Sequence, residues 1–245
     1  MTVKMQSFRP APLLAPPENA ERPWETLIAP EVDGIYSKLG TCAKLGQWGS
    51  VSHMLVMTRQ FGLPDPGARE YKEQIVGELK KERGKKSAYW VGRLNLELKE
   101  LGLQTKVCQE DEKIMRDYLR EQTGERASAK GILDVRYYMT MLGLNHGQLS
   151  DIDRENIGWE LHSLREISSD KKDIAEMIHM MQKTGMSIEP TKEDWAKMQR
   201  EVEYHRGHGT YNFSVYPLYY IHKLRPPKQL TEGKSVEDMP PLKKL

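Results

Sequence analysis

The sequence predicts an all-α protein, an α-solenoid of four to five helical hairpins with extended N- and C-terminal arms. Three observations predict it. Apolar residues recur with helical spacing and almost no period-two alternation, the same pattern returns about every 41 residues, and each return ends at a glycine. Gly62, Gly102, Gly143 and Gly185 are spaced by 40, 41 and 42 residues, and each is followed by Leu or Met.

Eight residues before each glycine stand Met54, Leu94, Val135 and Met177; four before, Thr58, Leu98, Met139 and Met181; one before, Phe61, Leu101, Leu142 and Thr184. Spacings of four and three place these on one face of a helix whose glycine can adopt the left-handed cap conformation. About 13 and 17 residues after each glycine come further apolar pairs: Ile75 and Leu79, Met115 and Leu119, Ile157 and Leu161, Met198 and Val202. Each unit therefore reads as a helix ending at glycine, a short connection, and another helix. Asp65-Pro66 suits a helix start, and Ser150 with Asp153 and Thr191 with Asp194 resemble capping boxes with a shorter acid in the last place. The pattern gives nine helices, at roughly 31–45, 48–61, 67–83, 87–101, 108–122, 128–142, 151–166, 170–184 and 191–206. Stacked hairpins bury each apolar stripe against the next unit.

The helical-repeat region is expected over residues 25–206, followed by an aromatic segment at 207–222. Before it lies a proline-rich arm, residues 1–24, with five of the 14 prolines; after it lies a basic, proline-containing tail, residues 223–245. Proline fixes φ and removes donors, so both arms are expected to be extended.

Thirty-seven Lys and Arg against 35 Asp and Glu give a formal charge of +2. The tail holds six basic and three acidic residues, so residues 1–222 sum to −1. The body lacks the broad positive footprint of a phosphate binder. Cys42 and Cys108, the only cysteines, suit a reducing compartment and read as buried thiols. No run of 18 or more apolar residues is present, so a peripheral rather than membrane-spanning protein is expected.

The stretch Ile35 to Pro66, IYSKLGTCAKLGQWGSVSHMLVMTRQFGLPDP, resembles a pentatricopeptide repeat: an apolar helix, a Cys-x-Lys-x-Gly elbow, a second helix, then Gly-Leu-x-x-Pro. Residues 30–79 are also similar to the repeat region of cytochrome c oxidase subunit Va, in the order Pro30-Glu31, Leu39, Cys42, Leu45, Trp48, Ser50, Leu55, Arg59, Pro64, Tyr71 and Glu78-Leu79. These resemblances imply a right-handed superhelix of hairpins with no catalytic residues and no cofactor. They imply a structural subunit of a large mitochondrial assembly, a respiratory complex such as cytochrome c oxidase being favoured, on the matrix side of the inner membrane and bound to other protein subunits. The alternative they leave open is a pentatricopeptide-like RNA-binding protein or organellar ribosomal subunit.

RNA reading by such repeats needs Asn, Ser, Thr or Asp at fixed places in each first helix. Tyr36 and Ser37 occupy them in one unit and Lys72 and Glu73 in the next, and Lys and Glu do not make that code. Lys80, Lys81, Arg83, Lys85 and Lys86 form the strongest basic run, expected at a turn and open to three readings: solvated turn, phosphate contact, or acidic-partner contact. Tyr211, Phe213, Tyr216, Tyr219 and Tyr220 follow a glycine-rich break where the helical pattern stops. They cap the solenoid or form a partner interface, where aromatics are enriched. Trp48, Trp90, Trp159 and Trp195 lie within helical patterns and read as core. His205 and His208 could supply two metal ligands, but no nearby acid or Cys completes a tetrahedral set with them, and no phosphate loop, nucleophile elbow or HExxH motif is present. No catalytic, cofactor or metal residue is therefore expected.

Overall fold

The computed structural model describes residues 27–104, 106–122, 128–166 and 172–224; the two expected arms, 1–24 and 223–245, lie outside the described residues except for Lys223 and Leu224. Ten α-helices and no strands are found among the described residues. In chain order they are α1 (Ala29–Lys44), α2 (Trp48–Gln60), α3 (Lys72–Gly84), α4 (Ala88–Glu100), α5 (Gln109–Glu121), α6 (Ala129–Leu142), α7 (Asp151–Glu166), α8 (Lys172–Lys183), α9 (Lys192–Gly207) and α10 (Tyr211–Leu224). Asp65 caps a short 3-10 turn, Ala68–Tyr71, through its carboxylate, rather than opening an α-helix directly.

The recurring positions are the core. Met54, Leu94, Val135 and Met177 are all buried, as are Leu98, Met139, Met181 and the following pairs Ile75 and Leu79, Ile157 and Leu161, Met198 and Val202. Gly62, Gly102, Gly143 and Gly185 all have left-handed φ, between 66° and 84°. At Gly143 this is a helix cap whose N–H reaches back to the last turn, and the next residue, Leu144, donates to the Met139 carbonyl. Thr191 with Asp194, and Ser150 with Asp153, make the reciprocal backbone hydrogen bonds of capping boxes.

The helices form five consecutive hairpins in two layers. The second members, α2, α4, α6, α8 and α10, pack one against the next to make the inner layer, and each first member lies outside its partner. The array does not end open. α10 packs not only on α8 and α9 but also on α1, and its side chains reach α2 and α4. The closing contact is a buried ion pair: Arg206 on α9 donates from Nε and Nη2 to Glu31 on α1, at 2.8 and 2.9 Å, and Glu31 also accepts from Ser214 on α10 and from the Ile28 N–H.

The expected break after residue 206 falls at 208–210, but the expectation that the helical pattern stops there is corrected: residues 211–224 are helical and run two residues beyond the expected boundary at 222. Gly207, Gly209 and Pro217 argue locally against a helix, since an interior proline costs roughly 3 kcal/mol. Val215, Leu218, Tyr219 and Ile221, each no more than 3% exposed, share the face that docks on the inner layer. Burying each contributes about 1.5–3 kcal/mol, so tertiary packing outweighs the local penalty.

Two further expectations change. Trp159 is 62% exposed, because Ile157 and Leu161 already hold the inward face of α7 and a residue two positions from each points away. Trp195 is buried, whereas Trp48 and Trp90 are half-buried. Cys42 is buried as expected, but Cys108 is exposed because it stands just ahead of α5, off the packed face.

Candidate protein interface

The predicted aromatic residues all lie on α10, and the helix sorts them. Tyr219, 3% exposed, turns inward: the His53 ring meets it edge-on at 5.4 Å, and the Lys223 ammonium sits 4.3 Å above its centroid. Tyr220 donates from its hydroxyl to Glu176 on α8 at 2.7 Å. Burial pushes both phenols well above the usual tyrosine range. Tyr216 is half-buried, stacked against His53 at 5.7 Å, with the Lys38 ammonium 4.9 Å over its ring. Phe213 turns outward and is 51% exposed, and Tyr211 is half-buried beside it in sequence.

Around Phe213 the structure assembles residues that sequence reasoning did not join to it. The His205 imidazole stacks on Phe213 at 5.5 Å, Tyr204 meets His205 edge-on at 5.4 Å, and His208 lies 4.1 Å from the Tyr204 ring. Tyr204 is 58% exposed. His205 is fixed from both sides, by Glu201 at 3.0 Å and Thr210 at 2.8 Å, and the Lys38 ammonium stands 5.9 Å from the Phe213 centroid. The result is a ridge of contacting rings with a cation at its edge, mounted where α1, α9 and α10 are pinned by Glu31 and Arg206. A signal for it was present in the sequence: Tyr204, His205 and His208 sit at the end of α9, one tight turn before the aromatic run. Such a ridge offers preordered aromatic surface to a partner, at small further entropic cost.

The inner layer carries a second set of polar residues. Nine positions before the four repeat glycines stand His53, Arg93, Asp134 and Glu176, each next to a core residue. Glu97 on α4 accepts from Ser52, lies 3.1 Å from His53 Nδ1, and accepts from Arg93 Nε at 2.9 Å. Burial alone would raise the Glu97 carboxyl, but the Arg93 charge and the hydrogen bonds from His53 and Ser52 prevail and hold it at about 2. Burial, then Arg93, pushes the His53 imidazole down, so it is neutral at neutral pH. Ser52 and His53 both address the same carboxylate and not each other, which is a structural junction and not the serine–histidine relay of a nucleophile.

The basic run is mostly spent. Arg83 grips Asp111 through Nε and Nη2 at 2.6 and 2.9 Å, Lys81 pairs with Glu78, and Lys85 pairs with Glu82. Lys80 and Lys86 have no carboxylate partner among the described residues, and Lys86 forms the turn itself with φ 54°. Tyr36, Ser37, Lys72 and Glu73 all lie on α1 and α3, in the outer layer; the Tyr36 hydroxyl donates to the Pro64 carbonyl. Among the described residues, no group of three or more His, Cys, Asp or Glu is arranged to hold a metal ion, and no helix is long and apolar enough to cross a membrane.

No family model, characterised protein or solved structure matches the chain.

Proposed function

We propose that this protein is a non-catalytic structural subunit of a large mitochondrial assembly, with a respiratory complex such as cytochrome c oxidase the favoured case. It acts by presenting a rigid helical-repeat surface to neighbouring subunits. The observation that carries this reading is the ridge of Tyr204, His208, His205 and Phe213, in which two exposed rings, Tyr204 and Phe213, are held against His205 on a closed framework. The choice of assembly rests on the resemblance over residues 30–79. Of its positions, Glu31, Leu39, Cys42, Leu55 and Leu79 are buried in α1, α2 and α3, whereas Leu45 is 66% exposed. A placement on the matrix side of the inner membrane follows from the same resemblance.

The RNA-binding reading is less well supported. Three of the five cations in the basic run are already paired, and α10 closes the array against α1. Tagged protein expressed in its own cells should co-migrate on native gels with subunits of the respiratory complex. The Tyr204→Ala, Phe213→Ala double variant should fold but lose that co-migration. Recovery of ribosomal RNA instead, or tight sequence-selective RNA binding that depends on Ser37 and resists physiological salt, overturns the proposal.

A further inference from the structure

Asp134 sits on α6 at one of the recurring inner positions, with its side chain only 7% exposed. Among the described residues no hydrogen-bond donor reaches its carboxylate; the nearest cation is Lys130 Nζ, at 3.8 Å, one helical turn earlier. That ammonium is shared, lying 3.7 Å from Glu176 on α8, and Glu176 in turn accepts the Tyr220 hydroxyl of α10. Two carboxylates on adjacent inner helices thus divide one ammonium, itself 41% exposed.

The other groups facing Asp134 relieve it only in part. From α4, Arg93 is engaged by Glu97 and the Tyr89 hydroxyl. From α5 comes Tyr118, from α6 itself Tyr138, and from α8 a further negative charge, Asp173. We infer that Asp134, Lys130 and Glu176 form a proton-operated clasp joining α6 to α8 and, through Tyr220, to the closing helix α10. With Asp134 protonated, one ammonium faces one carboxylate and the clasp holds. With Asp134 ionised, a second buried negative charge opposes Glu176 and the three helices separate more readily. The step is uptake or release of a single proton by the Asp134 carboxyl.

Burial, reinforced by the charges of Glu176 and Asp173 and opposed by Lys130 and Arg93, raises this carboxyl to about 7, within the neutral range. The sign follows from linkage. The folded state holds the proton more tightly than the unfolded state, so this contribution is complete below the ordinary aspartate range and is lost as pH rises towards 7. His53, His146 and His179 act in the opposite sense, since burial lowers all three and the unfolded chain protonates first as pH falls. The test must therefore compare a variant with the parent.

The experiment is chemical unfolding of the full chain and of Asp134→Asn across about pH 4 to 8, with hydrogen exchange read on α8 and α10. The histidine contributions are common to both proteins and cancel in the ratio. The folding constant of the variant relative to the parent should climb with pH by up to about a thousandfold, the linkage value for a shift of about three pH units. Protection of α8 and α10 should fall above neutrality in the parent and not in the variant. Glu176→Gln supplies an independent readout: with one neighbouring charge removed, the Asp134 carboxyl resonance should titrate at lower pH than in the parent. A ratio that stays flat with pH, or an Asp134 midpoint unmoved by Glu176→Gln, overturns the clasp. If Asp134→Asn fails to fold, the midpoint comparison decides alone.

Discussion

The two halves of α10 carry the same kinds of residue and face opposite fates. Tyr211, Phe213 and Tyr216 in the first half leave ring surface at the rim, whereas in the second Tyr219 is buried against His53 and the half-buried Tyr220 is tied by its hydroxyl to Glu176. Residue type does not separate them. What separates them is the helix register against the inner layer: Val215, Leu218, Tyr219 and Ile221 follow one stripe, and Phe213 lies off it. The lesson is that an aromatic run can serve closure and display together, provided the helix has one face to bury and one to spare.

The sharpest way to break this contrast is truncation at each half. Tyr219→Ala should cost about 3–5 kcal/mol in unfolding free energy, the range for removing a large buried ring, whereas Phe213→Ala should stay within roughly 0.5 kcal/mol of the parent. Equal losses measured in urea would mean that the ridge is part of the core. Glu31→Gln asks whether closure depends on the buried charge pair as well as on the rings. It leaves the Arg206 guanidinium short of its carboxylate and should lower stability by about 3 kcal/mol. A change too small to measure would place closure in the apolar stripe of α10 alone. A loss smaller than at Tyr219 or Glu31 is expected away from α10. Gly143→Val meets no atom within 4 Å of its new Cβ, yet it must adopt φ 76°, so it should cost roughly 1 kcal/mol by backbone strain alone. An undiminished melting temperature there would remove the capped hairpin from the account.

The repeat was legible in the sequence because it is written in a single chemical type: Met54, Leu94, Val135 and Met177 are all apolar, and a glycine always follows at the same distance. The inner polar positions one residue earlier were not legible. His53, Arg93, Asp134 and Glu176 share an offset but not a single chemistry, being an imidazole, a guanidinium and two carboxylates, and periodicity registers likeness of residue, not likeness of place. α10 was missed for a different reason: Gly207, Gly209 and Pro217 are strong local punctuation, and only contacts with helices distant in sequence override it. Of the ridge, Phe213 was named in advance, but Tyr204 and His205 belonged to what read as an ordinary helix, 191–206, and His208 to the glycine-rich break after it. Their association with Phe213 depends on the tight turn at Gly209, whose φ is 69°.

The pairing of Glu31 with Arg206 spans 175 residues. In an open array each hairpin needs only its neighbour, so assembly can begin anywhere and the ends fray independently. Here the first hairpin lacks part of its partner surface until the last has been made, and the last has no complete seat until the first is formed. Long-range closure of this kind slows the search for the native state and binds the ends into one transition. The protein should therefore emerge from synthesis largely unfinished, mature only once α10 is free to turn back, and afterwards resist unravelling from either terminus.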